Sequence, residues 1–340
     1  MKELFQMTDN GIYIPDADVY IDPWKPVKKS IITHGHSDHA RLGNGSYLCH
    51  HLTKPILQYR LSPDINCSSI EYGETVIIKG VQISLHPAAH IPGSAQIRIE
   101  KNGQVLVVSG DYKTENDGLS GAIELIKCNT FISESTFGLP IFKWKPQQEI
   151  FDEINSWWKN NIAQNKTSVL IGYALGKAQR IINNVDTGLG KIFLHGAVYN
   201  MNETLRKAGL PLPYYEKITP EMPASEFKNA LIVAPSGAIG TPWLKRFTPY
   251  SIGYCSGWMQ VRGNKRREAI DRGFVLSDHA DWEQLNSVIQ TTEAEKVYLT
   301  HGYTATGVKW LRENGIDAYE LETAFTGESS IVDTEQITEQ

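Results

Sequence analysis

The segment Thr33-His34-Gly35-His36-Ser37-Asp38-His39 puts four metal-ligating side chains within six residues, directly after the β-branched run Ser30-Ile-Ile-Thr33. That density constrains the fold. A strand must end there, and a loop eased by Gly35 and Ser37 must let imidazoles and a carboxylate surround cations from alternating sides. The chain has only ten histidines, so three at this spacing beside an aspartate are far from an ordinary polar turn. Three further side chains lie where apolar runs stop: His90 in Pro87-Ala-Ala-His-Ile-Pro-Gly-Ser94, Asp111 in Val108-Ser-Gly-Asp-Tyr112, and His301 in Leu299-Thr-His-Gly302. Taken singly, each reads as readily as a capping or hydrogen-bonding residue; beside the first motif they supply the missing donors.

At 340 residues the chain is long enough for two domains. From Gly11 to Glu134 it reads as short strands: Val19–Ile21, Ser30–Thr33, Thr75–Ile78, Val81–Leu85 and Gln96–Ile99, with Lys101-Asn-Gly-Gln104 turning into Val105–Val108. After Pro146 helix and strand alternate: helices over 147–160, 175–184 and 202–208, and strands over 168–173, 191–194 and 230–234. This is the pattern of βαβ units on a parallel sheet. Strands over 274–277, 296–300 and 317–321 and helices over 281–291 and 304–314 follow, and pattern alone does not assign them to either half.

With 41% hydrophobic and 21% charged residues, the composition is that of a folded chain. Met1-Lys-Glu-Leu-Phe-Gln lacks a basic region followed by an apolar one, and the longest apolar runs are strand-length, so membrane insertion and secretion are not expected. Cys49, Cys67, Cys128 and Cys255 form no C-x-x-C pair, which fits a reducing cytoplasm. The net charge of −5 conceals a division. Residues 141–267 hold 17 Lys+Arg against 8 Asp+Glu, a net of +9, while the remainder hold 16 against 30. A polyanion-binding lobe joined to an acidic, cation-loaded one has this distribution, as does a merely well-solvated basic surface.

The ordered set of Asp22, the H-x-H-x-D-H segment, His90, Asp111, Glu134 in Ile132-Ser-Glu-Ser-Thr-Phe-Gly138, His279 in Ser277-Asp-His-Ala280, and His301 resembles the metallo-β-lactamase superfamily. Within it the chain resembles the nucleic-acid-processing branch with the β-CASP insertion. Tyr173-Ala-Leu-Gly-Lys-Ala-Gln-Arg180, Gly240-Thr-Pro-Trp243 and Gly273–Trp282 look like the bacterial ligase-associated DNA exonuclease group. The resemblance implies an αββα sandwich built from 1–140 and 268–340, with an inserted α/β domain over 141–267. It implies two divalent ions, zinc ahead of manganese or iron. His34, His36 and His90 would hold one, Asp38, His39 and His301 the other, with Asp111 bridging and Asp22 fixing a histidine tautomer. Glu134 and His279 are left for proton work, His279 as acid and Glu134 as its orienter; Ser277-Asp278 also reads as a helix start.

Substrate contacts are expected on the basic lobe: Lys177 and Arg180, Trp243, Lys245 and Arg246, and Arg262, Lys265, Arg266 and Arg267, with Trp258 as a second stacking surface. Pro235–Thr241 could offer backbone N–H groups to a terminal phosphate, without P-loop spacing. His50, His51, His86 and His195 belong to no motif and are read as structural. The reading that results is a metal-dependent DNA exonuclease, working 5′ to 3′ on single-stranded or frayed DNA beside an ATP-dependent DNA ligase repair system, without membrane association. The alternative is an RNA nuclease, because histidine at the His301 motif accompanies RNA substrates in the wider branch. A thioesterase or lactonase on the same sandwich, or an inactive binding module, stands further off.

Overall fold

In the strand Gln104–Val108, Leu106 and Val108 face one way and Val107 the other, and each face meets a different apolar partner. This two-residue period organises the first of two compact units in the computed structural model, which describes residues 3–261 and 270–323. Over those residues the first unit comprises 3–116, 120–143 and 279–323, and the second 117–119, 144–261 and 270–278.

The first unit holds two sheets. Gln6–Thr8, Gly11–Ile14, Val19–Ile21, Ser30–Ile31, Tyr47–His50 and Cys67–Ile70 lie side by side in chain order, parallel from Val19–Ile21 onward. The seven-stranded sheet runs Asp317–Glu320, Lys296–Thr300, Thr130–Glu134, Gln104–Val108, Ala95–Lys101, Val81–Pro87 and Thr75–Ile78. Ile12, Ile14, Val19, Ile21 and Ile31 of one sheet pack on Ile83, Ile97, Ile99, Leu106 and Ile132 of the other. Helix Thr53–Arg60 sends Leu57 onto the outer face of the first sheet. Helices Trp282–Thr291 and Thr304–Glu313 cover the outer face of the second through Leu285, Val288, Val308 and Leu311. The Asn-Gly turn forms as expected, with Asn102 at φ 52° and Gly103 at φ 76°.

Parallel pairing of Thr130–Glu134 with Lys296–Thr300, Glu134 opposite Thr300, assigns 296–321 to this first unit. A strand order, which the sequence pattern does not contain, decides that point.

In the second unit Glu216–Lys217, Ile192–Leu194, Leu231–Ala234, Thr167–Ile171, Tyr250–Cys255 and Arg272–Phe274 form one sheet with every pairing parallel. Thr167–Ile171 is buried along its whole length, as a central strand covered on both faces must be. Helices Gln147–Ala163, Lys177–Asn184 and Gly196–Lys207 pack on one face, with Phe151, Ile181 and Val198 in the core.

A domain limit at 267/268 divides this sheet. Arg272–Phe274 is its edge strand, and Phe274 and Leu276 belong to its core, so the compact unit extends to Asp278. The limit that the resemblance implied takes no account of these backbone hydrogen bonds. The helix expected over 202–208 starts at Gly196, because His195 caps it by accepting from the Ala197 N–H at 3.2 Å. No helix among the described residues is long and apolar enough to cross a membrane.

Candidate metal centre

Strand Ser30–Ile31 ends two residues before Thr33, and the loop after it turns His34 fully inward. His34 Nε2 and His90 Nε2 each lie 3.1 Å from His36 Nδ1. Asp111 Oδ2 is 3.6 Å from His34 Nε2 and 3.9 Å from His90 Nε2. Ligand bonds of ~2.0–2.1 Å at tetrahedral angles put neighbouring donors about 3.3 Å apart, so these four atoms already have the spacing of a coordination shell.

His39, Asp111 and His301 form a second donor group sharing the same carboxylate. His39 Nε2 is 3.4 Å from Asp111 Oδ2 and 3.6 Å from Asp38 Oδ2. Asp22 Oδ2 accepts from His39 Nδ1 at 2.8 Å, which fixes the ring's proton and leaves Nε2 for the centre; Oδ1 accepts the Thr33 N–H at 2.8 Å. Asp22, Ala89 and His301 all have positive φ, at 42°, 61° and 55°, and all adjoin or line the centre, where backbone strain collects in functional sites. His301 is kept there by Ser135, whose hydroxyl donates to its carbonyl at 2.6 Å.

A third group, Asp111, Glu134 and His279, is buried throughout. His279 Nδ1 lies 2.9 and 3.1 Å from the two Glu134 oxygens, and its ring centre is 4.5 Å from that of His90. The Tyr112 N–H donates to Glu134 Oε1 at 2.7 Å. The helix start lies at Asp281, which forms a capping box with Gln284, and Ser277-Asp278 does not cap.

Charge in the centre is uneven. Burial, reinforced by His39, holds His34 well below the usual imidazole range, and His301 is lowered by burial and then His39. For His39, burial opposes charge, but Asp111, Asp38 and Asp22 outweigh it and raise the ring well above its usual range. Burial likewise works against Asp111, yet His39, His279 and His34 hold its carboxyl well below the ordinary value. A cation bound at His39 Nε2 takes the place of that proton, so binding releases it.

Lys113, buried to 1% exposure, donates through Nζ to the carbonyls of Ala89 and His90, the latter at 2.8 Å. It fixes the loop that presents His90. Sequence reasoning overlooked it; the only signal was its place two residues after Asp111.

The basic candidates divide. Lys177 and Arg180 are 2% and 1% exposed and do not face solvent. Lys177 Nζ reaches Asp278 Oδ2 at 2.8 Å and donates to the Leu276 carbonyl at 2.8 Å. Arg180 pairs with Asp278 at 3.0 Å, so both are internal clamps and not substrate contacts. Arg246 donates to the carbonyls of Thr219 and Met222, which makes it a brace for that turn. Trp243 is half-buried against His195 and Phe247. Lys245 is exposed. Arg262, Lys265, Arg266 and Arg267 lie outside the described residues.

No family model matches the chain. It is 26% identical over 92% of its length to a "Probable DNA ligase" of Opitutus terrae, and 23% identical over 70% to "RNase aCSPSF2" of Saccharolobus solfataricus. It is also 29% identical over half its length to "Endoribonuclease YSH1" of Gibberella zeae. The chain is a homologue of the β-CASP metallo-β-lactamase nucleases. The aligned region makes up 30%, 56% and 20% of those three proteins. A solved protein of unknown function from Enterococcus faecalis shares the fold, with a TM-score of 0.61 at 14% identity over 88% of this chain and 80% of that one.

Proposed function

We propose that the chain is a metal-dependent phosphodiesterase of the αββα metallo-β-lactamase type, degrading DNA from single-stranded or frayed ends in the 5′ to 3′ direction. The reading is carried by one observation: the His279–Glu134 pair lies beside two donor groups that share Asp111. Helices on both outer faces of paired sheets, and a separate parallel α/β unit in the middle of the chain, support the architecture.

His34, His36 and His90 would hold one divalent ion and Asp38, His39 and His301 the other, with Asp111 between them. Zinc suits the imidazole-rich set best, with manganese or iron as substitutes. Such a pair, when bound, supplies charge stabilisation at phosphoryl oxygens and an activated water at neutral pH. Asp22 keeps the His39 proton on Nδ1. Glu134 holds His279 Nδ1, leaving Nε2 to give a proton to the departing 3′ oxygen. This proton donor favours phosphodiester chemistry over thioester or lactone hydrolysis. The long alignment with a ligase-named protein supports DNA as substrate and a DNA ligase repair system as partner, in the cytoplasm.

RNA is the second reading, favoured by the endoribonuclease-named relatives and by His301. End-labelled single-stranded DNA and RNA of matched sequence, offered with Mn²⁺ or Zn²⁺, test the choice. DNA is expected to be cut faster and to shorten from its 5′ end; faster RNA cleavage refutes the DNA assignment. His279→Gln is expected to lower kcat by about 10²–10⁴ at unchanged metal content.

A further inference from the structure

Strands Tyr47–His50 and Cys67–Ile70 are parallel neighbours, with His50 opposite Ile70, so both chains leave the sheet at the same end. The residues there are His50, His51 and Glu71. His50 Nε2 lies 3.0 Å from His51 Nδ1, and Glu71 Oε2 lies 2.7 Å from His51 Nδ1 and 3.8 Å from His50 Nε2. We propose that these three side chains bind a divalent cation of the zinc class, at a site separate from the centre around Asp111.

The three donor atoms converge as a cation's ligands would. The Leu52 N–H donates to His50 Nδ1 at 3.3 Å, which leaves the neutral ring's proton on Nε2, pointing at His51 Nδ1. His51 Nδ1 must then be bare, and it faces the Glu71 carboxylate at 2.7 Å with no proton between them. Moving a proton to His51 Nδ1 satisfies Glu71, but forces His50 to bond through a bare Nε2 and sets its Nδ1–H against the Leu52 N–H. A cation held by the three donors likewise needs a bare His50 Nε2 and turns the Nδ1–H toward the Leu52 N–H, but it replaces one proton shared between two short contacts with a bond to each donor.

The donors span 2.7–3.8 Å, bracketing the roughly 3.3 Å edge of a tetrahedral shell. Two imidazoles and one carboxylate form the donor set of a three-ligand zinc site, with the fourth position left to water, and do not match the all-oxygen preference of magnesium or calcium. The site is rigid on one side and open on the other. His50 is 1% exposed and stacked on Tyr72 at 3.7 Å, while the side chains of His51 and Glu71 are 40% and 65% exposed and give an ion its entry. Tyr72 donates its hydroxyl to the Ser94 carbonyl at 2.8 Å, four residues after His90, so the ion would staple two strand ends behind that loop.

The test is zinc stoichiometry on the full chain, stripped with chelator, titrated with Zn²⁺ and analysed for bound metal after gel filtration. Three equivalents are expected for the parent and two for His51→Ala, and Glu71→Gln should weaken the third by at least ten-fold. Asp111→Asn should lose zinc at the main centre while keeping the His51-dependent equivalent, which separates failure of this site from failure of the dinuclear reading. Circular dichroism verifies folding, and Glu71→Gln, at an exposed side chain, decides the question if His51→Ala misfolds. Saturation of the parent without an equivalent that depends on His51 and Glu71 overturns the inference.

Discussion

Asp278→Asn removes the negative charge between Lys177 and Arg180, in a cluster whose side chains are 2–7% exposed. At separations of 2.8 and 3.0 Å and an effective dielectric constant of about 20, each attraction is worth roughly 5–6 kcal/mol. Desolvating three ions costs several kcal/mol apiece, so the intact network is close to neutral. Without Asp278 the desolvation remains and the attraction is gone, giving an expected loss of about 3–5 kcal/mol. In a unit of this size that lowers Tm by roughly 6–20 °C. Urea titration followed by tryptophan fluorescence should show the midpoint falling with an unchanged m value. A double-mutant cycle with Lys177→Met should give about 1–3 kcal/mol of coupling. An additive cycle, or a loss for Asp278→Asn below about 1 kcal/mol, refutes the clamp. The same clamp predicts that Lys177→Met leaves the salt dependence of DNA binding unchanged, whereas Lys245→Ala lowers its slope by about 1.

Asp22→Asn should weaken zinc binding at the main centre by about 10–100-fold without unfolding the chain, measured by competition with a chromogenic chelator, because His39 loses the partner that fixes its tautomer. Gly302→Ala should dislodge His301 and abolish binding at the second donor group, measured as one zinc lost: Gly302 has φ +70°, and a Cβ there collides with the Ser135 and Thr136 backbone. Burial pushes the Cys128 and Cys255 thiols up to about 12. The folded state holds those protons longer than the unfolded chain, so stability is full below about pH 9 and falls toward pH 12, by about 1.4 kcal/mol per pH unit for each thiol. Melts at pH 8 and 10 should show the fall, and the Cys255→Ala variant should show less of it.

The donor loop was legible because ligand density is a local property: His34, His36, Asp38 and His39 lie on one turn. Asp111 and His301 were legible as strand-end residues, and the resemblance gave them company. Lys113 was not, since its role lies in reaching two carbonyls of a loop more than twenty residues away, and no residue type announces that. Lys177 and Arg180 misled for a related reason: a cation in a sequence looks like a cation at a surface until its counter-ion is located, and Asp278 lies about a hundred residues downstream. For His50 and His51, read as structural, nothing in the sequence points to Glu71, which is brought to them only by the pairing of two strands.

The two parallel strands that join 130–134 to 296–300 have a consequence for the order of synthesis. A nascent chain displays His34, His36, His39, His90 and Asp111 early, yet His279 and His301 leave the ribosome only after the whole intervening unit has been made. An unfinished polypeptide therefore carries the residues of the first donor group before those of the other two are complete. The second donor group closes only when the late strand pairs with 130–134.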